Sequence, residues 1–218
     1  MLLFPPEKCV VLQNAVEVRP ENRRWTPDKP LRMAYTSIPY RGLSVLLDAW
    51  DQLRPADAEL HIWSSVKLYG RIFDDRPYQN LYVRAASLPG VEYHGIIPNP
   101  ELRVALRNIH FLTYPSTFQE TSCLSVIDAM ASGCRVICPA YGALPQTAGK
   151  FARLYPFLSD SAEHAKLFAQ ILAEEIRNPW GGNCALAEEQ QDYTRSTYDW
   201  SVRIPEWQAV IDMLKEPQ

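Results

Sequence analysis

Short apolar runs stopped by proline or glycine alternate along this chain with segments of helical period, and that alternation leaves few folds open. LRMAYTS (31–37), AELHIWS (58–64), VEYHG (91–95), IHFLTYP (109–115) and CRVICP (134–139) read as strands, with ARLYPF (152–157) a weaker sixth. Between them, GLSVLLDAWDQL (42–53) places apolar residues at 43, 46, 47, 50 and 53, a helical spacing, and 76–88 is weakly helical. NPELRVALRN (99–108) offers Asn99 as an N-cap with Pro100 behind it. TSCLSVIDAMAS (121–132) carries Cys123, Val126, Ile127 and Met130 on one stripe. SAEHAKLFAQILAEEIRN (161–178) is the clearest amphipathic helix, and IPEWQAVIDMLK (204–215) closes the chain. Apolar strands alternating with helices predict an α/β fold: a Rossmann-like parallel sheet with helices on both faces, joined by right-handed crossovers. Residues 1–30 are polar and hold Pro20, Pro27 and Pro30. They read as a linker or lead-in, and 31–218 as one Rossmann-like domain.

The bulk numbers narrow the partners. Apolar residues make up 47% of the chain, enough for a sizeable core. A net charge of −3 without a long basic run argues against nucleic acid. MLLFPPEK is too short for a signal peptide, and no run approaches the roughly 20 apolar residues that span a bilayer. Five cysteines, an odd number, argue for buried thiols in a reducing cytoplasm rather than a disulfide framework. Cys134 and Cys138 have no CxxC or His pair nearby, so no metal cluster is expected. His61, His94 and His110 fall at strands and read as core or edge histidines.

In an open α/β sheet, ligands lie beyond the carboxyl ends of the strands, so the strand-to-helix loops hold the chemistry. In SIPYRG (37–42), Arg41 stands just before the helix that Gly42 opens. A guanidinium there adds to the positive helix end and suits a diphosphate, though a surface arginine beside a turn glycine also fits. In FQETSCLSVID (118–128), Glu120 lies in the loop, and Thr121 or Ser122 is a natural N-cap. The amides of 121–124 are free to meet phosphate or sugar oxygens. Asp128 follows eight positions after Glu120, about 80° further round a helix, where it can line the next wall of one cleft. A carboxylate suits vicinal hydroxyls such as those of ribose. A helix-dipole role for Glu120 and a solvated face for Asp128 remain open alternatives.

These residues, taken with YRGLSVLLDAW, AELHIWS, GVEYHGIIPNPELRVAL and FLTYPSTFQETSCLSVIDAMASGCRVICPAYGALPQ, resemble one family over most of 31–155. It is the C-terminal, nucleotide-sugar-binding half of GT-B glycosyltransferases of the group 1 type. The longest segment carries the signature, two acids eight apart followed by A-x-G-x-x-V-I. The resemblance implies that Arg41 contacts the donor diphosphate and that Glu120 lies by the donor sugar, these two being the catalytic pair. It implies that Gly42 and the amides of Thr121, Ser122 and Cys123 serve donor binding. Asp128 would hold the ribose, and the loop at Ile96 and Ile97 would meet the base. It implies a UDP- or GDP-sugar donor, no cofactor and no metal, and transfer with retention. The acceptor, a sugar or lipid, would sit on an N-terminal domain missing here, leaving this fragment alone inactive. Two departures stand out: Asp128 replaces the usual glutamate, and TSIPYRG has one cation where the common pattern has two. A non-catalytic interaction module and a sugar-nucleotide epimerase half are the alternatives.

Overall fold

The computed structural model describes residues 5, 8–20, 22–70 and 72–215. Six parallel strands form one sheet: β1 (Leu31–Tyr35), β2 (Ala58–Trp63), β3 (Val91–Gly95), β4 (Phe111–Thr113), β5 (Arg135–Pro139) and β6 (Arg153–Tyr155). Their order is β3-β2-β1-β4-β5-β6, the doubly wound Rossmann arrangement. The connecting and closing helices are α1 (Leu43–Leu53), α2 (Gln79–Ser87), α3 (Asn99–Leu106), α4 (Leu124–Ala131), α5 (Leu144–Ala148), α6 (Ser161–Arg177), α7 (Leu186–Tyr198) and α8 (Trp200–Lys215). α1 packs against α2 and α6, while α4 packs against α3, α5 and α7, so the sheet is covered in two layers. That cover explains the unbroken apolar strands: Leu31, Met33, Ala34 and Tyr35 of β1 are all fully buried. α1 turns Leu43, Leu46, Leu47 and Trp50 into the same core, and Asp160 caps α6 by accepting from the amides of Ala162 and Glu163.

The structure departs from the expected elements in five places. α3 is capped by Pro98, with Asn99 already helical. α4 begins at Leu124 behind Cys123, which makes no side-chain cap bond, so neither Thr121 nor Ser122 is the N-cap. α8 starts at Trp200, and α5 and α7 were not expected at all. The lead-in also contributes to the core. Trp25 is 3% exposed and stands edge-on to the His110 ring, with its Nε1–H donating to the His110 carbonyl at 3.2 Å. Val16 is fully buried, and its amide donates to the Tyr198 carbonyl at 2.9 Å. A lone tryptophan has no period to betray it, yet it buries more apolar surface than most residues.

His110 is a core histidine. Its Nδ1 accepts from the Arg32 amide at 2.8 Å, so a second proton has no lone pair to take. Burial first, then the Arg32 and Arg23 charges, push its pKa down to about 4 from 6.5. The folded value lies below the unfolded one, so the unfolded chain takes up the proton first. Stability is therefore complete above about pH 6.5 and decays as pH falls toward 4, by about 2–3 kcal/mol at pH 4.5. Urea unfolding at pH 7.5 and 4.5 should show that fall in the native chain and a smaller one in His110→Gln.

Candidate functional site

A cleft of about 640 Å³ opens where the loops after β1 and β4 diverge, at the switch point of the strand order. Two glycines set its walls. Gly42 has φ +114°, and a Cβ there would stand 2.1 Å from the Pro115 carbonyl oxygen. The β1 and β4 loops thus meet backbone to backbone. Gly42 does not line the cleft. The close approach of Pro115 leaves no room for a side chain here, so this glycine sets the spacing of the two loops. Gly142 has φ +56°, and a Cβ on it would lie 2.6 Å from the Glu120 oxygen and 2.7 Å from the Glu120 nitrogen. The next amide, of Ala143, donates to the Glu120 carbonyl at 2.8 Å. The strand-to-helix turn after β5 therefore clamps the backbone of Glu120. The hydroxyl of Ser125, in the first turn of α4, donates to the Thr36 carbonyl at 2.6 Å and ties that helix to the end of β1.

Glu120 is 4% exposed. Its Oε1 accepts from the Tyr114 hydroxyl at 2.6 Å and from Arg41 Nη1 at 3.2 Å, and Oε2 takes the same nitrogen at 3.3 Å. Arg41 Nη2 donates to the Tyr69 hydroxyl at 3.0 Å, and the guanidinium lies 4.5 Å over the Phe118 ring. Arg41 Nε is buried without an acceptor among the described residues. Burial disfavours the charge on Arg41, but Glu120, Tyr114 and Tyr69 outweigh it and hold the pKa above the ordinary arginine value. Burial, with Cys123, Tyr35 and Glu120 nearby, raises the Tyr114 phenol far above its usual range, so it stays a donor. Burial and Glu120 push the Cys123 thiol up to about 12, which excludes a thiolate nucleophile at neutral pH. Arg41 and Glu120, read separately in the sequence, are one ion pair.

Asp128 sits on α4, 8% exposed, with Oδ1 accepting from Arg103 Nε of α3 at 2.8 Å. Burial raises its pKa, and Arg103 only partly offsets the rise. A raised folded pKa means that the Asp128 contribution favours folding below the unfolded value, 3.8, and is lost as pH climbs through the folded one. Removing Arg103 should deepen that loss. Arg103→Ala is expected to destabilise the chain by about 1–3 kcal/mol at pH 8 and clearly less at pH 3, below both the unfolded value and the raised folded one. Urea melts of both proteins at the two pH values read this out.

Ile96, Ile97, Thr121, Ser122 and Cys123 also line the cleft. The first helical amides belong to Leu124, Ser125 and Val126, and Thr121–Cys123 form the loop leading into them. The Ser122 hydroxyl accepts from Asn14 Nδ2 at 3.1 Å. Tyr69, Arg103, Tyr114, Asn14 and Trp63 were not singled out as site residues from the sequence. Arg103 and Tyr114 lie within the quoted signature segments. Tyr69 ends a short 3-10 helix (Val66–Tyr69) and Asn14 lies in an irregular stretch, and both reach the site only by folding.

Residues 32–174 match the family model described as glycosyl transferases group 1, and the chain belongs to that family. Three solved structures share its fold. HepE from Anabaena, in complex with UDP-glucose, is 16% identical with a TM-score of 0.61, over 84% of this chain and 49% of its own. Sucrose-phosphate synthase from Thermosynechococcus elongatus is 20% identical with a TM-score of 0.68, over 87% of this chain and 47% of its own. A glycosyltransferase from Rickettsia africae is 13% identical with a TM-score of 0.60, over 86% of this chain and 48% of its own. The chain thus spans about half the length of each. The fold is the Rossmann-like one found in GT-B glycosyltransferases. No curated protein matches the sequence. No helix among the described residues is long and apolar enough to cross a membrane.

Proposed function

We propose that the cleft binds the nucleoside diphosphate of a sugar donor, UDP- or GDP-linked, and that the chain is the donor-binding half of a retaining glycosyltransferase. The observation that carries this is the buried Arg41–Glu120 pair beside the start of α4 at the switch point of the sheet. The diphosphate meets the Leu124–Val126 amides and the Arg41 guanidinium, which stabilise the charge left on it when the glycosidic bond breaks. Glu120 holds Arg41 in place and faces the sugar. Asp128 gives one oxygen to Arg103 and offers the other to a ribose hydroxyl. Ile96, 45% exposed, and Ile97 supply an apolar wall for the base. Binding of UDP-glucose by HepE supports the ligand class. No metal or cofactor enters this reading, and the acceptor, a sugar or lipid, is held by an N-terminal half.

Calorimetric titration with UDP, GDP and ADP tests it: one of them should bind saturably, and no saturable binding by any sinks the reading. Arg41→Ala should weaken the productive nucleotide by about 1–3 kcal/mol, the value of a charged hydrogen bond. A second reading, a protein-interaction module, draws on α8, where Trp200, Ile204, Trp207, Ile211 and Leu214 are all exposed along one stripe. It requires partner binding that survives Arg41→Ala unchanged.

A further inference from the structure

At the open edge of the sheet, β2 and β3 bring three ligand-type side chains to one point. Glu59, His61 and Trp63 alternate along β2 with the fully buried Leu60 and Ile62, so they share the other face. His61 pairs in register with Glu92, and a register shift at Ile62/Trp63 brings His94 alongside. His61 Nδ1 lies 3.0 Å from His94 Nε2. Glu92 Oε2 lies 3.6 Å from the first and 3.8 Å from the second. Ligand atoms at about 2.0–2.1 Å from a tetrahedral zinc ion stand about 3.4 Å apart, so these three already approach three corners of such a shell.

A second observation fixes which nitrogen faces the point. His61 Nε2 lies 3.4 Å from Glu59 Oε1. A carboxylate only accepts, so Nε2 carries the proton and Nδ1 presents its lone pair inward. A carboxylate behind a histidine is the arrangement that orients metal-bound imidazoles. Trp63 stacks on the His94 ring at 4.7 Å and 15° and holds its plane. In the metal-free chain His94 Nε2–H donates to His61 Nδ1. On binding an ion, His94 gives up that proton and takes the Nδ1–H tautomer.

We propose that His61, His94 and Glu92 form a binding site for a transition-metal dication of the zinc class, with the fourth position open to water. Two imidazoles and one carboxylate suit such an ion, whereas magnesium and calcium demand shells of oxygen. Side-chain exposures of 14% for His61, 30% for His94 and 62% for Glu92 leave an entry path. The site lies outside the transfer chemistry, but His94 directly precedes the Gly95–Ile97 loop, and Trp63 lines the cleft. The ion therefore pins the sheet edge behind the base-side wall.

Zinc chloride titrated calorimetrically into untagged, chelator-stripped protein tests this, with magnesium chloride as the comparison. The expected result is saturable binding of one zinc per chain and none of magnesium. His94→Ala and Glu92→Gln should each weaken zinc at least roughly tenfold, and Glu59→Gln roughly tenfold through ring orientation alone. His110 and His164 are fully buried and do not compete. No saturable zinc binding by the folded native chain overturns the proposal. So does zinc affinity unchanged in both His94→Ala and Glu92→Gln, which would place the ion on a thiol such as Cys9 or Cys184. Should His94→Ala not fold, the exposed Glu92→Gln decides alone.

Discussion

Gly42→Ala is expected to lower unfolding stability by about 4 kcal/mol or more, at the far end of single-substitution effects. The added Cβ would stand 2.1 Å from the Pro115 carbonyl oxygen and 2.9 Å from its carbon, both backbone atoms with no flexible end to yield. Its φ of +114° is also closed to residues with a side chain. Relief requires the β1 and β4 loops to part, and these loops carry Arg41 and Glu120. Urea melts should therefore fall together with nucleotide affinity. Gly70 makes the matched control: its φ is +120°, but nothing among the described residues lies within 4 Å of its Cβ position. Gly70→Ala should cost only the backbone strain, about 1–2 kcal/mol. Equal effects at the two glycines would contradict the close-approach explanation.

Glu120→Ala is expected to cost about 3–5 kcal/mol, as breaking a buried ion pair does. The Glu120 and Arg41 side chains are only 3% and 20% exposed, and the same carboxylate accepts the Tyr114 hydroxyl. Truncation strands a guanidinium and a phenol at once. Glu120→Gln keeps an acceptor for Tyr114 and loses only the charge, so its effect should be intermediate. In a double-mutant cycle with Arg41→Ala, the double variant should be less destabilised than the sum of the singles, by about 0.5–3 kcal/mol. Strict additivity in chemical unfolding would mean that the pair does not hold the site together.

The strands were legible because both faces of the sheet are covered and each apolar run reports that cover directly. α6 was legible to within a residue because Asp160 caps it and its stripe is apolar. α7 was not. Its buried face is Ala187, Gln190, Gln191, Thr194 and Tyr198, helical in spacing but largely polar. Gln190 Nε2 donates to the Cys134 carbonyl at 2.9 Å and to the Met130 carbonyl at 3.3 Å, so the donors of this amide are satisfied by backbone that sequence does not display. The site divides the same way. Glu120, Arg41 and Asp128 were visible as residue types at informative positions. Their partners were not, because pairing is a tertiary fact: Arg41 meets Glu120 across 79 residues, and Arg103 meets Asp128 across 25. The change this brings is chemical. Arg41 is not a bare cation waiting for a phosphate but one half of a pair.

The central claim is that a nucleoside diphosphate enters the cleft at the switch point, with its phosphates on the start of α4. Amide chemical-shift mapping during titration with UDP and GDP tests it most directly. The expected result is saturable shifts at Thr121–Val126, Arg41 and Gly95–Ile97, with the amides around Arg135, Glu175 and Trp180 unmoved. Shifts confined to that second group, or none at all with either nucleotide, would contradict it.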